Sequence, residues 1–286
     1  MRRDPFDEPP DDDPYELYAS EEEVFSADTH VDPAEERAVA ELRDRFKQDR
    51  VFYSRQLEVQ LEGSFFHWVT NRAVKRLVAE DHVVAEERDV ENSSSVNLLW
   101  RKSYRYPRRE AAKVHALVEE YSRPAVSEAV GSNGENLVLE GFSRHQFVQR
   151  GRNVNAFGAK AWQRTNQDID FIFERDGHAY GIEVKNALGY MDKDEFDSKS
   201  DLCFELDLIP VFVVRMVPRT WLEELRKLGG FVLVIKFQLY PKLLGPLASR
   251  MRDELGLPVD TPATLWEGTM ERFLKWHHAP SGDGDS

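Results

Sequence analysis

The 286-residue sequence predicts an α/β fold, in which a mixed central sheet flanked by helices follows a smaller N-terminal domain. Two observations predict the sheet. Apolar and polar residues alternate on both sides of the dipeptide Asp176-Gly177, a pattern typical of a β-hairpin with a two-residue turn. Two almost entirely apolar segments, 208–214 and 231–235, enclose a helical segment, which favours parallel strands covered on both faces.

Composition limits the class of protein. The net charge is −14, and residues 1–31 hold a large share of the acidic side chains together with several prolines, so this segment is expected to be disordered. The single cysteine, Cys203, excludes internal disulfides and cysteine-based zinc clusters. No apolar run approaches the ~20 residues of a membrane helix, and we therefore expect a cytoplasmic protein without a membrane partner.

Residues 32–106 are expected to form the N-terminal domain. Asp32-Pro33 is typical of a helix start, helical spacing continues over 54–61 and 65–81, and strands are predicted at 83–88 and 96–101. Three helices followed by a hairpin resemble the winged-helix family, in which the third helix enters the DNA major groove and the hairpin, or wing, contacts the backbone. The resemblance implies a DNA-binding set composed of Trp68, Asn71, Arg72, Lys75 and Arg76 on the third helix, and Arg101, Lys102 and Arg105 near the wing. The alternative is a surface helix that carries solvated charge.

A connecting helix is expected over 107–131, the second domain over 132–260, and a final helix with a disordered tail over 261–286. Within the second domain, a helix is predicted to begin near Gly134, the first strand to occupy 154–157, and a helix over 192–206 to present Lys193 and Lys199 to solvent.

The hairpin around Asp176-Gly177 brings charged residues together. If Arg175 faces His178, Asp170 lies across from Glu183, with Cβ atoms roughly 4.5–5.5 Å apart. Two opposed carboxylates repel each other, and a bound Mg²⁺ would remove that repulsion. Lys185 shares their face and would orient or deprotonate a water molecule. The alternative is an exposed hairpin with an Asp168–Lys185 surface ion pair, worth about 0–1 kcal/mol.

Asp170 followed by Glu183-Val184-Lys185 on the adjacent strand resembles the signature of the PD-(D/E)XK nuclease superfamily, over roughly residues 130–240. This restriction endonuclease-like family has a mixed sheet flanked by helices. The resemblance implies that Asp170, Glu183 and the Val184 carbonyl bind Mg²⁺ (or Mn²⁺) and that Lys185 serves the attacking water. It also implies an acidic residue on the preceding helix, with Glu135 as the candidate and Glu140 in reserve. Asp168 would replace Asp170 if the register slipped by two residues.

These resemblances together predict a metal-dependent DNA endonuclease that is targeted by a winged-helix domain. Lys160 and Arg164, which flank Trp162, are candidates for holding backbone phosphates near the metal. Cutting both strands with one metal site per chain would favour a homodimer. The alternative is a DNA-binding regulator or a protein-interaction module whose nuclease-like domain is inactive.

Overall fold

The computed structural model describes residues 32–90 and 95–279. The predicted disordered segment 1–31, the wing tip 91–94 and the last residues of the tail lie outside this range. The helices are α1 Pro33–Arg45, α2 Ser54–Leu61, α3 His67–Ala79, α4 Arg108–Tyr121, α5 Pro124–Arg144, α6 Lys193–Glu205, α7 Arg219–Lys227, α8 Gly245–Leu255 and α9 Glu267–His277. In the described ranges, no helix has both the length and the apolar character needed to cross a lipid bilayer.

The strands follow in chain order. They are β1 Phe52–Tyr53, β2 Val83–Arg88, β3 Val96–Arg101, β4 Val148–Val154, β5 Ala156–Phe157, β6 Lys160–Ala161, β7 Ile169–Arg175, β8 His178–Lys185, β9 Ile209–Val214, β10 Phe231–Val234, β11 Gln238–Leu239 and β12 Val259–Asp260.

The N-terminal elements form where the sequence predicts them. Asp32 caps α1 by accepting a hydrogen bond from the Ala34 amide at 2.9 Å, and Pro33 occupies the first helical position. The strands predicted at 83–88 and 96–101 are confirmed as the antiparallel pair β2–β3, and the short strand β1 joins them in the order β1-β3-β2.

The central sheet is mixed, as predicted. Its strand order is β10-β9-β8-β7-β4, in which β4, β7 and β8 run antiparallel and β8, β9 and β10 run parallel. The predicted hairpin register is confirmed, since Arg175 pairs with His178 and Phe171 pairs with Ile182. Asp176 and Gly177 have positive φ angles of 53° and 80°, the conformation that a type I′ turn requires.

Side-chain alternation assigns each face of this sheet to different helices. Phe171, Phe173 and Ile182 pack with residues of α5 and α9, whereas Phe212 and Val214 pack with residues of α6 and α7. Glu183 lies opposite Phe212 and Lys185 lies opposite Val214 in the β8–β9 ladder. Since laterally paired residues point to the same face, both charged side chains lie on the α6 side of the sheet.

The prediction of a first strand at 154–157 was wrong. The strand that pairs with β7 is β4, Val148–Val154, and only its last residue overlaps the predicted span. β4 lies at the sheet edge, its side chains are mostly exposed, and a register shift interrupts it between Gln149 and Gly151. It therefore lacks the apolar alternation by which strands are recognised in a sequence.

The predicted helix start at Gly134 was also wrong, because α5 runs without a break from Pro124 to Arg144. A Cβ atom on Gly134 would lie 2.7 Å from Cβ of Asn186. Gly134 therefore permits close packing of α5 against the chain that follows β8.

The N-terminal and C-terminal regions share one apolar core. On β3, Leu99 packs toward α1–α3, whereas Leu98 and Trp100 pack with residues of α4 and α8. Gln56 and Gln60 of α2 donate side-chain hydrogen bonds of 2.9 and 2.7 Å to the carbonyl at the end of α8, Leu255. Strand β3 is therefore buried on both faces.

Candidate functional site

Asp170 lies at the start of β7, next to the end of β8. Its Oδ2 accepts a hydrogen bond of 2.7 Å from the Val184 amide. Burial raises the pKa of Asp170 to about 6, an effect to which the neighbouring charge of Glu135 adds and which the Val184 hydrogen bond and Lys199 oppose. The confirmed register, continued by one pair beyond Phe171–Ile182, places Asp170 across from Glu183.

Glu183 is 6% exposed. Burial, followed by the charge of Asp170, raises its pKa to about 8. The Lys199 Nζ lies 2.9 Å from Glu183 Oε2, so the buried carboxylate is paired with a buried lysine. We refer to Asp170 and Glu183 as the carboxylate pair.

Lys199 was predicted to face solvent, and this was wrong. It lies on α6 with 7% exposure, donates to the Asp168 carbonyl, and its Nζ is 3.8 Å from Asp168 Oδ1. Burial opposes a charged lysine, but Glu183 and the other carboxylates nearby raise the pKa of Lys199 overall. Its spacing from the buried residues Phe196 and Cys203, three and four positions away, was the signal that it belonged to the inward face.

Lys185 lies on the predicted face, with a partner that the sequence analysis did not identify. Its Nζ is 2.9 and 2.8 Å from the two carboxylate oxygens of Glu195 on α6. The alternative Asp168–Lys185 surface pair does not form, because Lys199 contacts Asp168 and Glu195 contacts Lys185.

The two acidic candidates on α5 have different surroundings. Glu135 lies near enough to Asp170 for its charge to raise the Asp170 pKa. The Glu135 Oε2 accepts a hydrogen bond of 2.9 Å from Arg152 on β4. Glu140, the reserve candidate, pairs instead with Arg144 one turn further along the helix, at 2.8 Å.

The carboxylate pair fits a divalent cation. Lys199 supplies one ammonium group to two neighbouring carboxylates, and burial, joined at Glu183 by the charge of Asp170, raises both carboxyl pKa values. In an extended strand, the amide and the carbonyl of one residue point to the same neighbouring strand. The Val184 amide donates to Asp170 on β7, so the Val184 carbonyl also faces β7. In the described residues, Asp170 and Glu183 are not part of any group of three His, Cys, Asp or Glu residues whose ligand atoms all lie within 4.8 Å of one another. Water molecules would therefore complete the octahedral shell of Mg²⁺.

Ionisation of the carboxylate pair should make the metal-free protein less stable as the pH rises. Both folded-state pKa values are raised, to about 6 and about 8, so the folded chain holds protons that the unfolded chain has lost, and stability falls with pH across that window. The shift at Asp170 corresponds to on the order of 3 kcal/mol between about pH 4 and pH 6. Urea unfolding of the wild type and Glu183→Gln at several pH values measures this; the variant should show the flatter profile above pH 6, and parallel profiles would contradict the assignment.

The candidate DNA contacts on α3 and the wing are largely paired within the chain. Arg72 binds Asp32 and Glu35 of the α1 start, Arg76 binds Glu36 and Glu80, Arg101 binds Asp49 and Lys102 binds Asp81. The Trp68 ring is partly buried and lies 4.7 Å from the Arg72 guanidinium carbon. The side chains of Asn71, Lys75 and Arg105 are exposed.

Lys160 and Arg164 are directed to α6 and the residues that follow it. Lys160 Nζ lies 2.6 Å from Asp207, and Arg164 Nη2 lies 2.8 Å from Glu205 near the end of α6. The Arg164 guanidinium also covers the Trp162 ring at 5.0 Å. Lys160 and Arg164, the two residues predicted to hold backbone phosphates, are therefore each paired with a carboxylate of the chain.

Comparison with known proteins finds no family model, no curated protein and no solved structure that matches this chain. Function is therefore inferred from the site itself.

Proposed function

We propose that the protein is a metal-dependent DNA endonuclease that hydrolyses phosphodiester bonds. The observation that carries the proposal is the carboxylate pair, in which Glu183 is buried and Asp170 partly buried, together with two lysines, Lys185 and Lys199, beside it. The single charge of Lys199 does not balance both carboxylates, and a bound cation would supply the remaining positive charge.

The element order supports the resemblance to the PD-(D/E)XK superfamily. Helix α5 precedes three antiparallel strands, β4, β7 and β8, and α6 then leads to the parallel strand β9. The acidic candidates belong to α5, β7 and β8, so one helix and two adjacent strands of this unit supply them.

In this proposal, Asp170, Glu183 and the Val184 carbonyl would hold Mg²⁺ or Mn²⁺. The bound cation would act as a Lewis acid toward the scissile phosphate and lower the pKa of a water molecule. Lys199 partly neutralises Glu183 and fixes the position of its carboxylate. Lys185, held by Glu195, would exchange this partner for the attacking water or a phosphate oxygen, and so orient the nucleophile or stabilise developing charge.

DNA binding by the N-terminal region is part of the proposal. The order of three helices and a hairpin agrees with a winged-helix arrangement, and Asn71, Lys75 and Arg105 present exposed polar groups. Arg72 and Arg76 would have to exchange the carboxylates of α1 for phosphates. Cleavage of both strands would favour two copies of the chain, because each copy supplies one carboxylate pair.

Cleavage of supercoiled plasmid and of branched oligonucleotides, with Mg²⁺, Mn²⁺ or EDTA, tests the proposal. Wild-type protein should cut with either metal and not with EDTA. Glu183→Gln should remove cutting, since the amide is nearly isosteric and can still accept from Lys199 but is a weaker cation ligand. Cleavage that survives EDTA or this substitution would contradict the proposal, and the preferred DNA would identify the substrate as a site, a junction or a flap.

A second candidate is a regulator or interaction module with an inactive nuclease-like domain. Its support is that Arg72, Arg76, Arg101 and Lys102 are already neutralised by carboxylates of the chain. It predicts no cleavage of any DNA in the panel and no change of melting temperature on addition of Mg²⁺ or Mn²⁺.

A further inference from the structure

The turn of the β7–β8 hairpin meets the end of α9 in a group of side chains that the proposed nuclease does not use. Asp176 of the turn and His277 and His278 of the helix end each offer one ligand atom, and these atoms all lie within 4.8 Å of one another. We call these three residues the histidine cluster. In the part of the chain that the structure describes, no other group of three His, Cys, Asp or Glu residues brings its ligand atoms within 4.8 Å of one another.

His277 is held by partners on both sides of its ring. Its side chain is 1% exposed, its Nε2 lies 3.0 Å from Asp176 Oδ2, and its Nδ1 lies 2.6 Å from the Tyr180 hydroxyl. Phe147 packs on the imidazole with ring centroids 5.2 Å apart. A metal-binding histidine usually has its other ring nitrogen fixed by a hydrogen bond, and Tyr180 supplies this bond when Nδ1 carries the proton.

Two further histidines surround this ring. His278 is exposed, and its ring centroid lies 4.8 Å from that of His277. The centroid of the His178 ring, at the start of β8, lies 6.0 Å from that of His277. Arg175 Nε contacts Asp176 Oδ2 at 3.2 Å, but its Nη1 is also bound to the His145 carbonyl at 2.8 Å, so the guanidinium retains a partner if a cation takes the carboxylate.

We propose that the histidine cluster is a binding site for Zn²⁺ or a similar divalent transition metal, separate from the carboxylate pair. Two imidazole nitrogens and one carboxylate are a donor set for Zn²⁺, whereas Mg²⁺ prefers oxygen ligands alone. The O–N separation of 3.0 Å between Asp176 and His277 is close to that of neighbouring ligands on a tetrahedral zinc with bonds of about 2.0 Å. Water would complete the shell.

The site is remote from the proposed catalytic residues. Asp170 and Asp176 are six residues apart on one extended strand and its turn, which corresponds to roughly 20 Å. The bound metal would join the hairpin turn to the last helix, so it would raise the melting temperature of the folded chain.

Zinc titration of untagged, full-length, metal-free protein tests this inference, with a chromophoric chelator as competitor. The variants are Asp176→Asn, which keeps an Asn-Gly type I′ turn at the positive φ angle, and His278→Ala, which removes an exposed ring. His82→Ala, an exposed histidine elsewhere in the chain, is the matched control. Substitution of His277 is avoided because its ring packs on Phe147 and Tyr180.

With millimolar Mg²⁺ present to occupy the carboxylate pair, the wild type should bind one Zn²⁺ per chain at the histidine cluster, with a rise in melting temperature beyond that given by Mg²⁺ alone. Asp176→Asn and His278→Ala should each weaken the affinity by about tenfold or more, whereas His82→Ala should not. Absence of Zn²⁺ binding, or binding that neither cluster variant weakens, overturns the inference. Glu183→Gln should retain the zinc affinity, which separates this result from the outcome of the nuclease test.

Discussion

Lys185→Ala should lower metal-dependent DNA cleavage by about 10²–10⁴-fold and leave the fold and the DNA affinity nearly unchanged. The lysine lies on the same sheet face as the carboxylate pair, and its amine reaches Glu195 rather than a core partner. Its side chain is 36% exposed, so truncation creates no buried cavity. The loss should therefore fall on the chemical step, through the orientation of water or the stabilisation of phosphorane charge.

Lys193→Ala is the matched control for this prediction. Lys193 is the first residue of α6 and has a comparable exposure of 38%, but it pairs with Asp197 and Glu224 instead of Glu195. Its removal should leave cleavage near the wild-type rate. Single-turnover cleavage and DNA-binding titrations of both variants measure the effect. Strong cleavage by Lys185→Ala would transfer the role to Lys199, the other lysine at the carboxylate pair.

The part of the site that lies on the hairpin could be predicted from the sequence. The Asp176-Gly177 turn determines the register, and a side-chain period of two then places Asp170, Glu183 and Lys185 on one face. No comparable local rule places α6 over that face. The contacts of Lys199 with Glu183 and of Glu195 with Lys185 depend on tertiary packing, and a buried lysine is rare enough that outward exposure is the usual expectation.

The same limit applies to the N-terminal region. Its helices and strands have strong local patterns and were predicted near their observed positions. The pairing of Arg72 and Arg76 with the start of α1 depends on how α1 and α3 pack, which helical periodicity alone does not give. The packing of α8 against this region joins residues about 200 positions apart, such as Gln56 and Leu255, and local sequence patterns carry no information on that contact.

Arg215→Met should destabilise the folded protein by about 3–5 kcal/mol, because it leaves a partly buried glutamate without its partner. The Arg215 side chain is 3% exposed, and its guanidinium binds both carboxylate oxygens of Glu62, which follows α2. It also donates to the Ala187 and Leu188 carbonyls in the segment between β8 and α6. The Arg215 side chain therefore connects the N-terminal region to the segment that follows β8, the strand that contains Glu183.

A double-mutant cycle with Glu62→Gln, measured by urea unfolding, separates the ion pair from the loss of arginine packing. Arg215→Met should cost less in the Glu62→Gln background, since the uncompensated carboxylate is then absent. Arg219→Met, which breaks an exposed pair with Glu223, should change stability by less than about 1 kcal/mol. If Arg215→Met costs no more than this control, the buried pair does not hold the two regions together. If Glu62→Gln also lowers cleavage at a pH where the protein stays folded, the N-terminal region positions the segment that follows Glu183 and Lys185, the proposed catalytic residues on β8.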